Sequence, residues 1–238
     1  MKPVTLVTLS GFADIFTQFC ANVELFEPEV PKSVVTSRSL VRRDMPGWEV
    51  IVGQDPFSFP RNANLGLKAV RDGDVLLMND DAQFTESGSI EKLQEIAHAH
   101  PEIGILSPHI DGEADNVFQT DPAKFPGGLT YCERRLCYIC VYLKREVIDR
   151  VGLLDELFSG YGFDDQDHCL RVLLAGLTLA VTSEVTVKHG FGGVHSSSSF
   201  RRTHNNRHAS GAEMQQRFRN KWMTLSMASD VVARYIKS

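Results

Sequence analysis

The chain has 238 residues, 42% hydrophobic and 23% charged. This excludes a collagen-like or disordered polypeptide and fits a compact body that buries roughly 70% of its unfolded surface. A net charge of −5 argues against a dedicated nucleic-acid binder. Residues 196–238, however, carry eight basic against two acidic side chains, a cationic tail suited to a local anionic partner such as a phosphate.

No apolar run reaches the roughly 18–20 residues of a membrane span, and the first nine residues lack the charged and cleavage regions of a signal peptide. With five cysteines and no paired framework, the expectation is a cytoplasmic protein with free thiols. Cys132, Cys137 and Cys140 raise the question of zinc. On a strand, an odd separation sets Cys137 and Cys140 on opposite faces, which favours buried structural thiols.

In chain order, Val4–Leu9 reads as a buried strand. Asp14–Leu25 reads as a helix, with Ile15, Phe19, Val23 and Phe26 on one face. Ser33–Thr36 and Trp48–Val52 read as strands. Pro60 opens a helix through Val70, with Ala63, Gly66 and Leu67 on a small apolar face, and Asp72-Gly73 breaks the chain after it. Asp74–Met78 is almost wholly apolar, as a strand covered on both faces should be. Ile90–His100 is an amphipathic helix and Ile103–Leu106 a buried strand. Asp111–Gly128 is polar loop, with room for a hairpin. Tyr138–Leu143 follows as a strand, Arg145–Val151 as a helix, and Asp164–Ala175 as a helix stopped at Gly176. Leu177–Val181 and Val185–Lys188 are two further strands. Gly190–Gly211 is a Gly/Ser/Arg/His-rich loop, and a last helix spans Ala212–Met227. Strands alternating with helices predict a parallel α/β sheet, whose ligands sit beyond the carboxyl ends of the strands.

Three constellations carry candidate chemistry, the first at such an end and the third at a sheet edge. Asn79-Asp80-Asp81 is either a turn or a paired carboxylate site, whose mutual repulsion Mg²⁺ or Mn²⁺ would relieve. Gly160-Tyr-Gly-Phe-Asp164-Asp165-Gln-Asp167 starts a helix. One carboxylate serves as the cap and Asp167 can pair with Arg171, which leaves Asp165 free to act as a general base. His189 and His195 precede Arg201, Arg202, His204, Arg207 and His208. These are either a solvated loop or a cationic one that closes over a diphosphate.

Together these motifs resemble the family 2 glycosyltransferases of the GT-A fold. Phe59-Pro-Arg-Asn-Ala-Asn64-Leu-Gly66-Leu and Asp74-Val-Leu-Leu-Met-Asn-Asp-Asp81-Ala resemble that family's N-x-G helix and Asp-x-Asp-type strand end. Val151-Gly-Leu-Leu-Asp-Glu156 followed by Asp164-Asp165 and Arg171, then Val187-Lys-His189-Gly and Arg219-Asn-Lys-Trp222, resemble its later segments.

The resemblance implies a single-domain, Rossmann-like, mostly parallel sheet flanked by helices. Residues 1–195 would form the catalytic domain, with 1–110 holding the nucleotide-sugar and 111–195 the acceptor, and 196–238 would pack on the same domain. It implies inverting transfer of a sugar from a nucleoside-diphosphate-sugar to an acceptor hydroxyl. Asp165 is the implied base, with Asp164 beside it. Asp81 and His189 would hold Mn²⁺ or Mg²⁺. Ser10, Ser37, Arg61, Asn64, Asp80, Arg201 and Arg202 would face the donor.

The chain departs from the family in three places. Asn79 stands where the first Asp is frequent. The first strand ends Thr8-Leu-Ser-Gly11 without a Thr-x-Asn, and the second ends Thr36-Ser-Arg-Ser where an acidic residue commonly reads the base. The nucleotide, the oligomeric state and the acceptor (saccharide, lipid-linked sugar, protein or modified DNA base) stay open. A nucleotidyltransferase would show a Gly-rich basic loop after the first strand, which Thr8–Phe12 lacks. A non-catalytic nucleotide- or sugar-binding module would need neither acidic cluster.

Overall fold

The computed structural model describes residues 2–36, 45–121, 128–190, 207–226 and 229–237, with only the backbone of 207–209 and 237. The elements are β1 (Val4–Ser10), α1 (Ala13–Phe26), β2 (Lys32–Thr36), β3 (Glu49–Val52), α2 (Phe59–Ala69), β4 (Asp74–Asn79), β5 (Ala82–Phe84), α3 (Ser89–Ala99), β6 (Ile103–Gly112), α4 (Val117–Thr120), β7 (Leu129–Cys132), β8 (Cys140–Leu143), α5 (Arg145–Val151), α6 (Asp164–Leu174), β9 (Thr178–His189), α7 (Arg207–Ser226) and α8 (Asp230–Lys237).

Among the described residues the strands form one sheet in the order β3-β2-β1-β4-β8-β6-β9-β5, with β7 also on β9. The β3-β2-β1-β4 half is parallel throughout. Beyond it the sheet is mixed. β8 runs antiparallel between β4 and β6, while β6 and β9 are parallel. The sheet is parallel over most of its register, as expected, and becomes mixed where the chain crosses back through its centre as β8.

The unbroken apolar runs follow from burial on both faces. Leu6, Val34, Leu76 and Met78 pack under Phe16, Phe19 and Val23 of α1 and Leu93 of α3. Val7, Leu9, Val35, Val75 and Leu77 face the other way, toward Ala63 and Leu67 of α2, Leu170 of α6, Phe218 and Trp222 of α7, and Val232 of α8.

Gly66 lets α2 close on this sheet. A Cβ there would lie 2.4 Å from Val7 Cγ1 and 3.2 Å from Val35 Cγ2, both on stiff β-branched side chains. Gly66→Ala should therefore cost about 1–3 kcal/mol through overpacking. An unchanged urea midpoint would show that α2 has slack at this contact.

The remaining boundaries moved for identifiable reasons. The two late strands are one. Ser183 and Glu184 are exposed and look like a turn, but they sit in an irregularity where the β6 register jumps from Pro108↔Thr182 to His109↔Thr186. β5 is three residues long and carries too little pattern to read. Residues 230–237, which follow the expected last helix, form α8. Cys132, Cys137 and Cys140 do not share a strand. Cys132 ends β7, Cys140 begins β8 and Cys137 lies between them. Burial holds the thiols of Cys132, Cys140 and Cys169 above their usual range and pushes Cys137 up to about 12, so these groups are packed as neutral thiols. No helix among the described residues is long and apolar enough to cross a membrane.

Candidate active site

β4 ends in the turn Asp80–Asp81, and β5 then folds against β9 with Ala82 opposite His189. That register, together with the Gly190 N–H donating to the Asp81 carbonyl at 2.9 Å, sets Asp81 beside His189. The Asp81 carboxylate is 1% exposed and neither of its oxygens accepts a hydrogen bond. His189 Nε2 faces Oδ1 at 3.4 Å, ion-pair range but not a hydrogen bond, while Nδ1 meets the Glu113 carbonyl. Burial alone would lower the imidazole pKa, but the Asp81 carboxylate beside it holds it above its ordinary value.

Three buried polar atoms without a hydrogen bond, eased only by the Asp81–His189 ion pair, make a site that a charged ligand would satisfy. A hard carboxylate and an imidazole suit Mn²⁺ or Mg²⁺, and two protein ligands leave positions for phosphate oxygens and water. The residues present fit such a cation. Among the described residues, no group of three or more His, Cys, Asp or Glu side chains is placed to hold a metal ion.

β1 delivers Ser10 alongside this turn. Leu9 pairs with Asn79, and Ser10 Oγ donates to Asp80 Oδ2 at 2.6 Å. Burial lifts the Asp80 carboxyl to about 7, helped by the Asp81 charge and opposed by the Ser10 hydroxyl. Thr36, the register partner of Ser10 on β2, adds a buried hydroxyl without a partner. Arg61 sits in the first turn of α2, which starts beyond the carboxyl end of β3.

Asn64, expected beside the nucleotide, has another use. Its Nδ2 donates to the Leu154 carbonyl at 2.9 Å and to Glu156 Oε1 at 3.0 Å, and its Oδ1 accepts from the Leu154 N–H at 3.0 Å. Every hydrogen-bonding group of this amide therefore holds the 154–156 segment. Ser37, His195, Arg201, Arg202 and His204 lie outside the described residues, as do the side chains of Arg207 and His208.

The second acidic cluster opens α6. Its cap position is Phe163, not an aspartate, and Phe163 holds a left-handed φ of 72°. A bulky residue there is strained and persists only when its surroundings dictate it. Here α7 does so. Ser210 Oγ accepts from the Tyr161 N–H at 3.0 Å, Met214 Sδ meets the Gly160 N–H at 3.3 Å, and Phe218 packs on the Phe163 ring at 5.6 Å. Asp164 and Asp165 thus fall inside the first helical turn, where the helix dipole favours negative charge. Burial still raises both carboxyls. Asp164 is lifted further by the charge of Asp165. Asp165 reaches about 6, opposed by the Arg135 guanidinium and the Gln166 N–H and assisted by Asp115.

Asp167 has a separate role. It accepts from Arg171 Nε at 2.9 Å, Trp222 Nε1 at 2.9 Å and Lys221 Nζ at 2.6 Å, and Lys221 also reaches Asp155 Oδ2 at 2.6 Å. The Lys-Trp pair near the end of the chain therefore bolts α6 and the 151–156 segment together. Trp222→Phe keeps most of the packing but leaves a buried carboxylate short of one donor. The expected loss is about 1–3 kcal/mol, to be read from guanidinium unfolding, and an unchanged midpoint would show that Arg171 and Lys221 suffice.

Two segments link the acidic clusters along one edge. Asn79 N–H donates to the Ile139 carbonyl at 2.8 Å, while Leu136 N–H meets Cys169 Sγ at 3.3 Å and Tyr138 Oη meets His168 Nδ1 at 2.5 Å, so residues 136–139 run between α6 and the end of β4. Glu113 contacts His189, and two residues on, the Asp115 carbonyl accepts from Arg135 at 3.3 Å. Arg135 and Glu113 escaped the sequence reading because neither carries a local pattern. A cavity of about 520 Å³ opens elsewhere, lined by Thr5, Lys32, Trp48 and Arg71 at the amino ends of the strands, and borders neither cluster.

No protein-family model matches the chain, and no curated protein matches it in sequence. Solved structures do match in fold. The mannosyltransferase PcManGT from Pyrobaculum calidifontis, in complex with GDP-Man and Mn²⁺, is 16% identical with a TM-score of 0.61, over 98% of this chain and 73% of its own. GalNAc-T7 with UDP, GalNAc and Mn²⁺ is 10% identical with a TM-score of 0.65, over 79% of this chain and 43% of its own. S. aureus TarS 1-349 is 12% identical with a TM-score of 0.62, over 84% of this chain and 63% of its own. The fold is GT-A-like.

Proposed function

We propose that the protein is a cation-dependent, inverting glycosyltransferase that moves a sugar from a nucleoside-diphosphate-sugar to an acceptor hydroxyl. One observation carries this reading: the Asp81 carboxylate, buried with neither oxygen hydrogen-bonded and facing His189 Nε2 at 3.4 Å, at the ligand edge of the sheet. The similar solved structures support it, since two of them hold Mn²⁺ with GDP-Man or with UDP and GalNAc.

In this reading Asp81 and His189 hold Mn²⁺ or Mg²⁺, and the bound cation offsets negative charge on the departing diphosphate. Ser10, Asp80 and Arg61 face the donor; Ser37, Arg201 and Arg202, outside the described residues, are proposed as further donor contacts. Asp165 takes the proton of the acceptor hydroxyl as that oxygen attacks the anomeric carbon, with Asp164 as its acidic neighbour. A carboxyl raised toward 6 is a stronger base than an exposed one and is still ionised near neutral pH. One displacement inverts the anomeric centre, so no covalent sugar–enzyme bond is needed. Residues 1–110 then supply the donor half and 111–195 the acceptor half.

Incubation with UDP-, GDP- and dTDP-sugars, with Mn²⁺ or with EDTA, tests the reading. Mn²⁺-dependent release of a nucleoside diphosphate from one donor is expected. Binding of the donors without release from any, across acceptor mixtures, would favour a binding module.

A further inference from the structure

The end of β6 approaches His189 more closely than any side chain would permit. Gly112 is the register partner of His189 on β9 and has a φ of 138°. A Cβ on it would lie 2.3 Å from the His189 carbonyl oxygen and 3.3 Å from its nitrogen, so only glycine fits without moving one strand. The next residue turns its carbonyl onto the imidazole, where Glu113 O meets His189 Nδ1. A carbonyl oxygen can only accept, so Nδ1 must carry the proton. In the neutral ring, Nε2 is then a bare lone pair, and it is this nitrogen that lies 3.4 Å from Asp81 Oδ1 without a hydrogen-bond partner.

We propose that Gly112 and the Glu113 carbonyl are the positioning shell of the cation site, fixing the rotation and tautomer of His189 so that Nε2 is presented to the ion. This rests on the reading of Asp81 and His189 as cation ligands. The backbone carries the device, so the glycine and not the Glu113 side chain is its sequence signature. A carbonyl or carboxylate behind a ligating imidazole orients the ring and raises its basicity, and losing such a partner weakens metal affinity by about 10–100-fold. β5 pairs with the other edge of His189 through Ala82, so the His189 backbone is held by both neighbouring strands.

Mn²⁺ alone is a sufficient probe, read by the loss of the free-ion electron paramagnetic resonance signal on titration. Gly112→Ala should bind Mn²⁺ about 10–100-fold more weakly than the parent chain, with the thermal unfolding transition retained as a sign of folding. Equal affinity in a folded Gly112→Ala chain would overturn the proposal. Should that variant fail to fold, ¹⁵N spectra of the metal-free parent decide: a neutral His189 protonated at Nδ1 supports the proposal, and one protonated at Nε2 overturns it. A parent chain that binds no Mn²⁺ removes the cation reading itself. That result is distinct from a parent that binds and a variant that binds equally well.

Discussion

Replacing Asp165 by Asn is expected to lower turnover by about 10²–10⁴-fold, the usual worth of a general base, while Mn²⁺ and nucleoside-diphosphate affinities stay within about twofold of the parent. The substitution is nearly isosteric, and Asp165 is separated from the cation ligands by residues 113–116 and 135–139. Its Oδ1 accepts from the Gln166 N–H at 2.7 Å, a bond the Asn oxygen can reproduce, so α6 should start as before. The pH profile gives a second readout. A base works ionised, and burial lifts Asp165 to about 6 against the pull of Arg135. Activity should therefore be full above that value and fall as the pH drops through about 6, and the residual activity of Asp165→Asn should lack this limb. Near-parental turnover, or an unchanged acid limb in the variant, would assign the base elsewhere.

Asp81→Ala should have an effect of similar size on a different quantity. The parent carboxylate is buried and accepts no hydrogen bond, but it faces His189 Nε2 at 3.4 Å. Where His189 is neutral, removal of the carboxylate should leave the metal-free protein at least as stable, because a desolvated charge is gone and no ion pair is broken. Affinity for a nucleoside diphosphate in the presence of Mn²⁺ should fall by at least about 100-fold, since loss of a mere supporting partner already weakens such sites by about 10–100-fold. Calorimetry with and without Mn²⁺ makes the comparison. If both chains bind the diphosphate equally well in Mn²⁺, Asp81 does not hold the ion. A variant less stable than the parent without metal would mean that the carboxylate has a structural partner instead.

Asn64 and Asp167 show where reasoning by motif stopped. Both belong to segments picked out by spacing, and both are buried. In each the residue ties segments together. Asn64 secures the Leu154 backbone, and Asp167 anchors Arg171, Lys221 and Trp222. A side chain's type signals that it needs hydrogen-bond partners but not which ones. The Asp167–Arg171 pair was legible because it lies within one helix; the Trp222 contact crosses between helices and was not.

What the sequence determined by itself was local. Unbroken apolar runs marked strands covered on both faces, amphipathic spacing marked most of the helices, and the two acidic clusters were visible as a strand end and a helix start. Those patterns arise within a few residues, from backbone periodicity and turn chemistry. Strand order and register were decided by the tertiary structure. β8 threads antiparallel through the middle of the sheet, β5 lies on β9, and Gly112 presses against His189. No short stretch encodes these pairings, since they depend on which faces can be buried together once all the helices are in place. The meeting of Asp81 with His189, and the electrostatic pull of Arg135 on Asp165, follow from that global packing.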